Sequence, residues 1–252
     1  MGSQAQIHIR EFNWQQDWRD LLQLIYDSWF FDDPPLIGYM SAAQFGLHYI
    51  SQATTCLVAE NDEGKMMGLL SLDNKVDEPI IERSKWSSWQ CNSLERLALC
   101  GLYLFPKAKI SRLFNAMFIN NYHKLRKLAP HAQWPEFVLL IVSPHAKRMG
   151  IGRKLTEAGE AALRQQGFGH YYLLTDSSCD YQFYDRLQME RVVDVAMDFT
   201  LSHIEGYDHY LNSYLRCYVY EQDLSRTAPV GAGGAASGTA QVAAPAPVLK
   251  TI

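Results

Sequence analysis

No two cysteines in this 252-residue sequence are spaced as a CxxC pair, and their total of five (Cys56, Cys91, Cys100, Cys179, Cys217) is odd. A disulfide framework therefore finds no support, and the expectation is buried free thiols in a reducing compartment. The opening Met-Gly-Ser-Gln-Ala-Gln lacks the basic and apolar regions of a signal peptide. No stretch approaches the roughly 20 uninterrupted apolar residues that span a bilayer, and the longest candidate, Leu97–Phe105, is far too short. A cytoplasmic protein with no membrane partner is expected. Net charge is also scant, at -4, which argues against a dedicated nucleic-acid binder. No set of metal ligands stands out.

What is present suffices for a large core. Apolar residues make up 48% of the chain, so no metal or disulfide staple is required. Charge is segregated along the sequence. From Arg96 to Gln133 there is no acidic residue, but there are seven cationic ones (Arg96, Lys107, Lys109, Arg112, Lys124, Arg126, Lys127), leaving the rest strongly acidic. From about Ser225 to Ile252 the chain is Ala, Gly, Pro, Ser and Thr with scattered Val. Such a composition buries too little surface to offset chain entropy, and reads as a flexible tail.

Patterning divides residues 1–224 into alternating element types. Gln6–Phe12 alternates as a half-buried strand. Asn13 is placed to cap a helix over Trp14–Phe31, with Gln16 completing a capping box and Asp32-Asp33-Pro34-Pro35 as its stop. A second helix is expected from Ser41 to about Ser51. Thr54–Glu60, the turn Asn61–Gly64 and Lys65–Leu72 form a hairpin. Residues 75–134 carry aromatic and aliphatic residues at mostly helical spacing, broken at Pro106 and Pro130, and read as two or three inserted helices. Their Trp86, Trp89, Tyr103, Phe105, Phe114 and Phe118 either line a pocket or form helix core. Glu136–Val142 is nearly all apolar, as a strand buried on both faces should be. A helix follows Gly152 and ends near Gly167. His170–Thr175 is a strand, Cys179–Leu187 a short helix, and Arg191–Leu201 and Ser213–Glu221 are closing strands.

The junction Leu139–Leu155 is the most informative segment. A buried strand runs into a turn, and a helix begins near Gly150 and Gly152. The first amides of a helix have no intrahelical partner and sit at the positive end of its dipole. Glycine permits positive φ and close approach of a phosphate. Lys147, Arg148, Arg153 and Lys154 add positive charge around the turn. A pyrophosphate is the natural guest, although a tight strand-to-helix connection needs nothing more than such a triplet. A P-loop is excluded because no Ser or Thr follows a Gly-Lys pair. The dinucleotide fingerprint is excluded because residue 155 is Leu.

The run Val142-Ser-Pro-His-Ala-Lys147-Arg-Met-Gly150-Ile-Gly152-Arg-Lys-Leu155 resembles the acetyl-CoA signature of the GNAT superfamily of N-acetyltransferases. Downstream, Phe183-Tyr184-Asp185-Arg186-Leu187-Gln188-Met189-Glu190 resembles the family's Phe-Tyr-Glu-x-Leu-Gly-Phe-Glu. Two positions depart: Lys147 stands for Gln or Arg, and Gln188-Met189 for Gly-Phe. The resemblance covers roughly Gln6–Leu72 and Pro135–Glu221. It implies a mixed α/β fold, with a central twisted, mostly antiparallel sheet flanked by helices and the helical insert preceding the cofactor-binding strand. It implies acetyl-CoA as co-substrate, with Leu140, Ile141 and Val142 pairing with the pantetheine arm. Amides over Arg148, Met149, Gly150, Ile151, Gly152 and Arg153 would cradle the pyrophosphate beside the cation of Lys147, Ser177 would border the cofactor, and Tyr184 would lie near the thioester sulfur.

Direct transfer from a thioester needs a neutral amine, a polarised carbonyl and a proton for the thiolate. Tyr184 is the expected acid, since a phenol of pKa ~10 stays protonated beside a thiol of pKa ~8.5. Glu136 is the expected base, with His145 and Asp176 as other candidates, although Asp176 could merely cap the following helix. Cys179 as an acyl carrier has no histidine adjacent in the pattern. The expected acceptor is a small-molecule amine. A protein or peptide amine, a non-catalytic acyl-CoA-binding module, or RNA binding through Arg96–Lys127 are the other readings, and a homodimer is possible.

Overall fold

The computed structural model describes residues 6–146, 149–200 and 214–225. Lys147 and Arg148, the tail after Ser225, and the proposed strand ends at Leu201 and Ser213 lie outside the described residues. Seven strands form one sheet: β1 (His8–Glu11), β2 (Thr55–Glu60), β3 (Met66–Asp73), β4 (Glu136–Val142), β5 (His170–Asp176), β6 (Glu190–Asp198) and β7 (Tyr214–Asp223). Their order is β1-β2-β3-β4-β5-β7-β6. Every neighbouring pair is antiparallel except β4 with β5. The expected mixed, mostly antiparallel sheet is thus observed.

Helices cover both faces. On one face lie α1 (Trp14–Ile25), α2 (Pro35–Ile50), α3 (Lys85–Leu104) and α4 (Lys109–Arg126). Their core includes Leu21, Ile25, Trp29, Phe45, Ile50, Phe118 and Leu125, packed on Leu69, Leu139 and Ile141. The other face carries α5 (Ile151–Gln165) and α6 (Gln182–Arg186), whose Ile151, Leu155, Leu163, Phe183 and Tyr184 pack on Leu70, Phe137, Leu140 and Tyr220. Leu155 and Leu163 are fully buried, each contributing about 2 kcal/mol. Gly159 lets α5 settle on the sheet, because a Cβ there would lie 2.5 Å from Leu70 Cδ2 and 2.9 Å from Phe137 Cζ.

Several element ends differ from expectation for physical reasons. The Asn13 side chain accepts from the Gln15 and Gln16 amides. The reciprocal partner of the Asn13 amide is the Asp17 carboxylate at 2.7 Å, not Gln16. Past Ile25 the chain continues through a π-helical turn, Tyr26–Phe30. α2 begins at Pro35, six residues before Ser41, because proline at the first helical position gives up an amide that would be unpaired anyway. The insert resolves into two helices, α3 and α4, joined by a 3₁₀ turn at Pro106–Ala108. Four cysteines are buried as expected, but Cys100 is exposed on α3. No helix among the described residues is long and apolar enough to cross a membrane.

Candidate active site

The site originates in an irregularity of β4. Leu139 pairs with Ser71, yet Phe137 pairs with Leu72, so Val138 is an extra residue on the β4 side, a β-bulge. A bulge bends its strand and increases local twist. The consequence is visible on the opposite edge. β4 pairs with β5 only at Glu136↔Tyr172 and Phe137↔Leu173, and from Val138 onward the two parallel strands part.

The parted length of β4 presents unpaired backbone to the gap. The Ser143 amide bonds to the Met67 carbonyl, and Ile141 is opposite Leu69. Antiparallel ladders alternate between bonded and non-bonded pairs. Ile141 and Leu139 therefore bond to β3, while the peptide groups of Leu140 and Val142 point away from it into the gap.

A cleft occupies this gap and passes through the sheet. Leu140 and Tyr184 belong to the core under α5, whereas Trp29, Phe45, Tyr49, Phe118 and Tyr122 belong to the opposite helical face, and all line the same cleft with Val138, Thr175 and Cys179. It leaves about 40 Å³ for the centres of water-sized molecules, room for a few waters at ~10–15 Å³ each. Beyond Tyr49 and Tyr122, which the two share, lies a recess of about 540 Å³ with His48, Gln52, Asn120, His123 and Arg126 on its walls. Of the six insert aromatics expected to line a pocket or pack as core, Phe118 lines the cleft and Phe114 is core. Trp86, Trp89, Tyr103 and Phe105 are exposed.

At the open end of the gap stands the start of α5. Gly68, the partner of Val142, lies so close to α5 that a Cβ on it would be 3.0 Å from Ile151 Cγ2. Gly150 caps the helix in the left-handed region at φ 70°, with no side-chain cap. A Cβ on Gly150 would meet nothing within 4 Å among the described residues, so glycine is required here for its φ. The Lys154 amide reaches the Gly150 carbonyl at 3.0 Å. The amides of Ile151, Gly152 and Arg153 have no partner among the described residues. Arg153 is exposed and paired with Glu157 at 3.0 Å, Met149 is half-buried, and His145 is exposed.

Tyr184, on α6, is buried on the cleft wall, and its phenol makes no hydrogen bond to a described residue. Burial, reinforced by Cys179, Asp180 and Tyr220, raises its pKa far above the usual phenol range. The turn after α6 keeps its left-handed residue despite the loss of the family's glycine, with Gln188 at φ 60°. The Thr175 hydroxyl, beside the Cys179 thiol, is buried without a hydrogen bond of ordinary geometry among the described residues. Burial also pushes the Cys179 thiol well above its ordinary range, so it stays protonated, the inert form of the group.

Glu136 lies at the closed end, where β4 and β5 still pair. Its carboxylate accepts from Arg126 Nε at 2.8 Å and Nη2 at 2.7 Å, from Lys75 at 3.1 Å and from the Tyr172 hydroxyl at 2.6 Å. Burial alone would raise its pKa, but Arg126, Lys75 and Tyr172 outweigh it and hold the pKa below the ordinary value. It does not line the cleft. Ser177 is exposed past the end of β5, bonded through its amide to Arg216 of β7 at 2.8 Å.

Sequence reasoning singled out Tyr184, the α5 turn and, as a pocket or core candidate, Phe118, but missed the rest of the aromatic wall: Trp29 of the π-helical turn, Phe45 and Tyr49 of α2 and Tyr122 of α4. Nothing local distinguishes a cleft aromatic from a core one. Asp176 was foreseen as a possible base or cap. It is fully buried and accepts the Ser178 amide at 2.7 Å, the Ser178 hydroxyl, and the Tyr122 hydroxyl at 2.7 Å.

No protein-family model and no curated protein matches this sequence. Solved structures do. Arylalkylamine N-acetyltransferase 2 from Aedes aegypti is similar over 86% of this chain and 99% of its own, with 14% identity and a TM-score of 0.52. An N-acetyltransferase from Staphylococcus aureus is similar over 87% of this chain and 99% of its own, with 12% identity and a TM-score of 0.47. A GNAT-family N-acetyltransferase from Escherichia coli, solved in complex with CoA, covers 93% and 90%, with 16% identity and a TM-score of 0.42. On this strand order, with β4 and β5 splitting ahead of a glycine-capped helix, the chain has the fold of that arylalkylamine N-acetyltransferase, the mixed α/β fold that the sequence resemblance implied.

Proposed function

We propose that the protein is an acyl-CoA-dependent N-acyltransferase that passes an acetyl group from the thioester directly to a small amine. The observation that carries this reading is the through-sheet cleft at the β4–β5 split, open on one side to α5 and on the other to the aromatic wall. Two substrates entering from opposite faces meet at the bulge, so transfer needs no covalent enzyme intermediate.

The residues present suit the cofactor. Peptide groups of Leu140 and Val142 would pair with the pantetheine arm as an added strand, while Ile141 holds register on β3. The amides of Ile151, Gly152 and Arg153, at the positive end of α5, would bind the diphosphate. Met149, and the Lys147 and Arg148 of the sequence, would flank it. Acyl-CoA supplies an activated acyl group, and the chain's own groups do the rest. A donor at the Val138–Leu139 bend or the Thr175 hydroxyl would steady the carbonyl oxygen as charge develops. Tyr184 would give the departing thiolate its proton. Burial that raises the phenol's pKa raises the thiolate's as well, so the two stay matched. Glu136, raised above as the base, is read instead as the charge that pins the closed end of the split.

Among the described residues, five aromatic rings and no charged group line the acceptor side (Trp29, Phe45, Tyr49, Phe118, Tyr122). A small amine with an aromatic or apolar body fits them better than a peptide, whose backbone would leave polar groups unmet. The test is thiol release from acetyl-CoA with phenethylamine, paired with calorimetry of CoA binding. Tyr184→Phe should lower turnover about 100-fold while CoA affinity stays within a few-fold. Full turnover in that variant, or no CoA binding by the wild type, contradicts the reading.

A further inference from the structure

An alkylamine reaches the enzyme as an ammonium ion and must lose a proton before it can attack. Among the described residues lining the cleft there is no carboxylate and no histidine, and the only groups that titrate are Tyr49, Tyr122, Cys179 and Tyr184. His48 belongs to the outer recess and does not reach the cleft wall. Of the four cleft groups, one is wired to a carboxylate. The Tyr122 phenol donates to Asp176 Oδ2 at 2.7 Å, across 54 residues of sequence.

Asp176 is unusual for a surface-poor sheet. It is fully buried at the end of β5, beside the point where the strands have parted, and no ion pair to it is found among the described residues. Its other oxygen accepts the Ser178 amide and hydroxyl. Tyr49, Cys179 and Cys217 also feel its charge. Burial raises its pKa, against the opposing pull of Ser178 and Tyr122. A buried carboxylate held only by neutral donors among the described residues, with more affinity for a proton than a surface aspartate, is suited to accept one.

We propose that Tyr122 and Asp176 form the proton outlet for the acceptor amine, an inference that rests on the transferase reading above. Tyr122 is the catalytic member because it lines the cleft, and Asp176 acts through it. An ammonium N–H passes its proton to the Tyr122 oxygen as the Tyr122 proton moves to Asp176 Oδ2, so the phenol is restored and the carboxylate becomes a carboxylic acid. The freed lone pair attacks the thioester carbon, the C–N bond forms and the C–S bond breaks. The leaving sulfur takes a proton from Tyr184, which recovers one from the second N–H of the amine. The first proton returns to solvent from Asp176 when the product leaves.

This outlet is needed only by an acceptor that arrives protonated. The test measures kcat/KM of the wild type, Tyr122→Phe and Asp176→Asn with two acceptors of similar shape: phenethylamine, an ammonium in neutral buffer, and O-benzylhydroxylamine, which is neutral there. With phenethylamine both variants should lose about 100-fold or more, and with O-benzylhydroxylamine only a few-fold. Equal losses on both acceptors would mark a purely structural role and overturn the proposal, as would full activity of Tyr122→Phe on phenethylamine. Tyr122→Phe removes one oxygen and keeps the packing, so it decides the matter even where Asp176→Asn does not fold. A wild type that releases no thiol with either acceptor overturns the transferase reading itself, an outcome distinct from a loss confined to the variants.

Discussion

Glu136 shows how one buried carboxylate can serve geometry. Arg126 comes from the last turn of α4, Lys75 from the segment after β3, and Tyr172 from β5, so the charge ties four pieces of chain together where β4 and β5 last touch. Glu136→Gln leaves Arg126 and Lys75 facing an amide and should destabilise the fold by about 3 kcal/mol. The pH dependence follows from the lowered pKa. A carboxylate whose folded pKa lies below its unfolded value of ~4.3 stabilises the protein above that value and loses the contribution as pH falls through the folded one. Chemical denaturation as a function of pH should therefore show a shallower acid limb for Glu136→Gln than for wild type. An unchanged limb would mean that the carboxylate is not held as an anion. At this scale the sequence was legible where a motif is local. Tyr184 stands inside Phe-Tyr-Asp, six residues before Glu190 ends the pattern. The Tyr122–Asp176 bond was not legible, because only the fold brings α4 to the end of β5.

The bulge at Val138 is the element on which the cleft depends. In Glu136–Val142 every residue after the first is apolar, so no alternation betrays which one is extra, and the strand was recognised without its irregularity. The side-chain directions reveal it: Phe137 faces α5, Val138 and Leu139 both pack toward α1–α4, and Leu140 faces α5 again. Deleting Val138 would keep Phe137, Leu139 and Leu140 on their present faces, since the extra residue is the one that breaks the alternation. The variant should therefore fold, with a thermal midpoint within several degrees of wild type. β4 would then run on alongside β5, and CoA binding by calorimetry should vanish. Undiminished CoA binding would show that the split does not depend on the bulge. Helix starts were legible where a side chain or a glycine marks the cap: Asn13 and Gly150 were found, while the α2 start at Pro35 was missed because proline there was taken as a stop.

Across the whole molecule, two hydrophobic cores share one sheet, and the cleft is the place where they communicate. The core under α5 meets the cofactor signature in the sequence and was foreseen. The core under α1–α4 includes the insert, whose α4 brings Phe118 and Tyr122 to the cleft and Arg126 to Glu136. Its cationic run, weighed from the sequence as an RNA contact, is partly engaged within the protein: Arg126 with buried Glu136, and Arg112 over the exposed Tyr103 ring at 3.9 Å. The order of strands and helices was legible because each has its own period, but the joining of the two cores through a split sheet is a property of the assembled fold. Amide hydrogen exchange followed by NMR, with and without CoA, tests that joining directly. Binding as described protects the amides of Leu140, Val142, Ile151, Gly152 and Arg153, and leaves Ile141, already bonded to β3, unchanged. Protection that spares these amides and gathers elsewhere on the molecule would contradict the account.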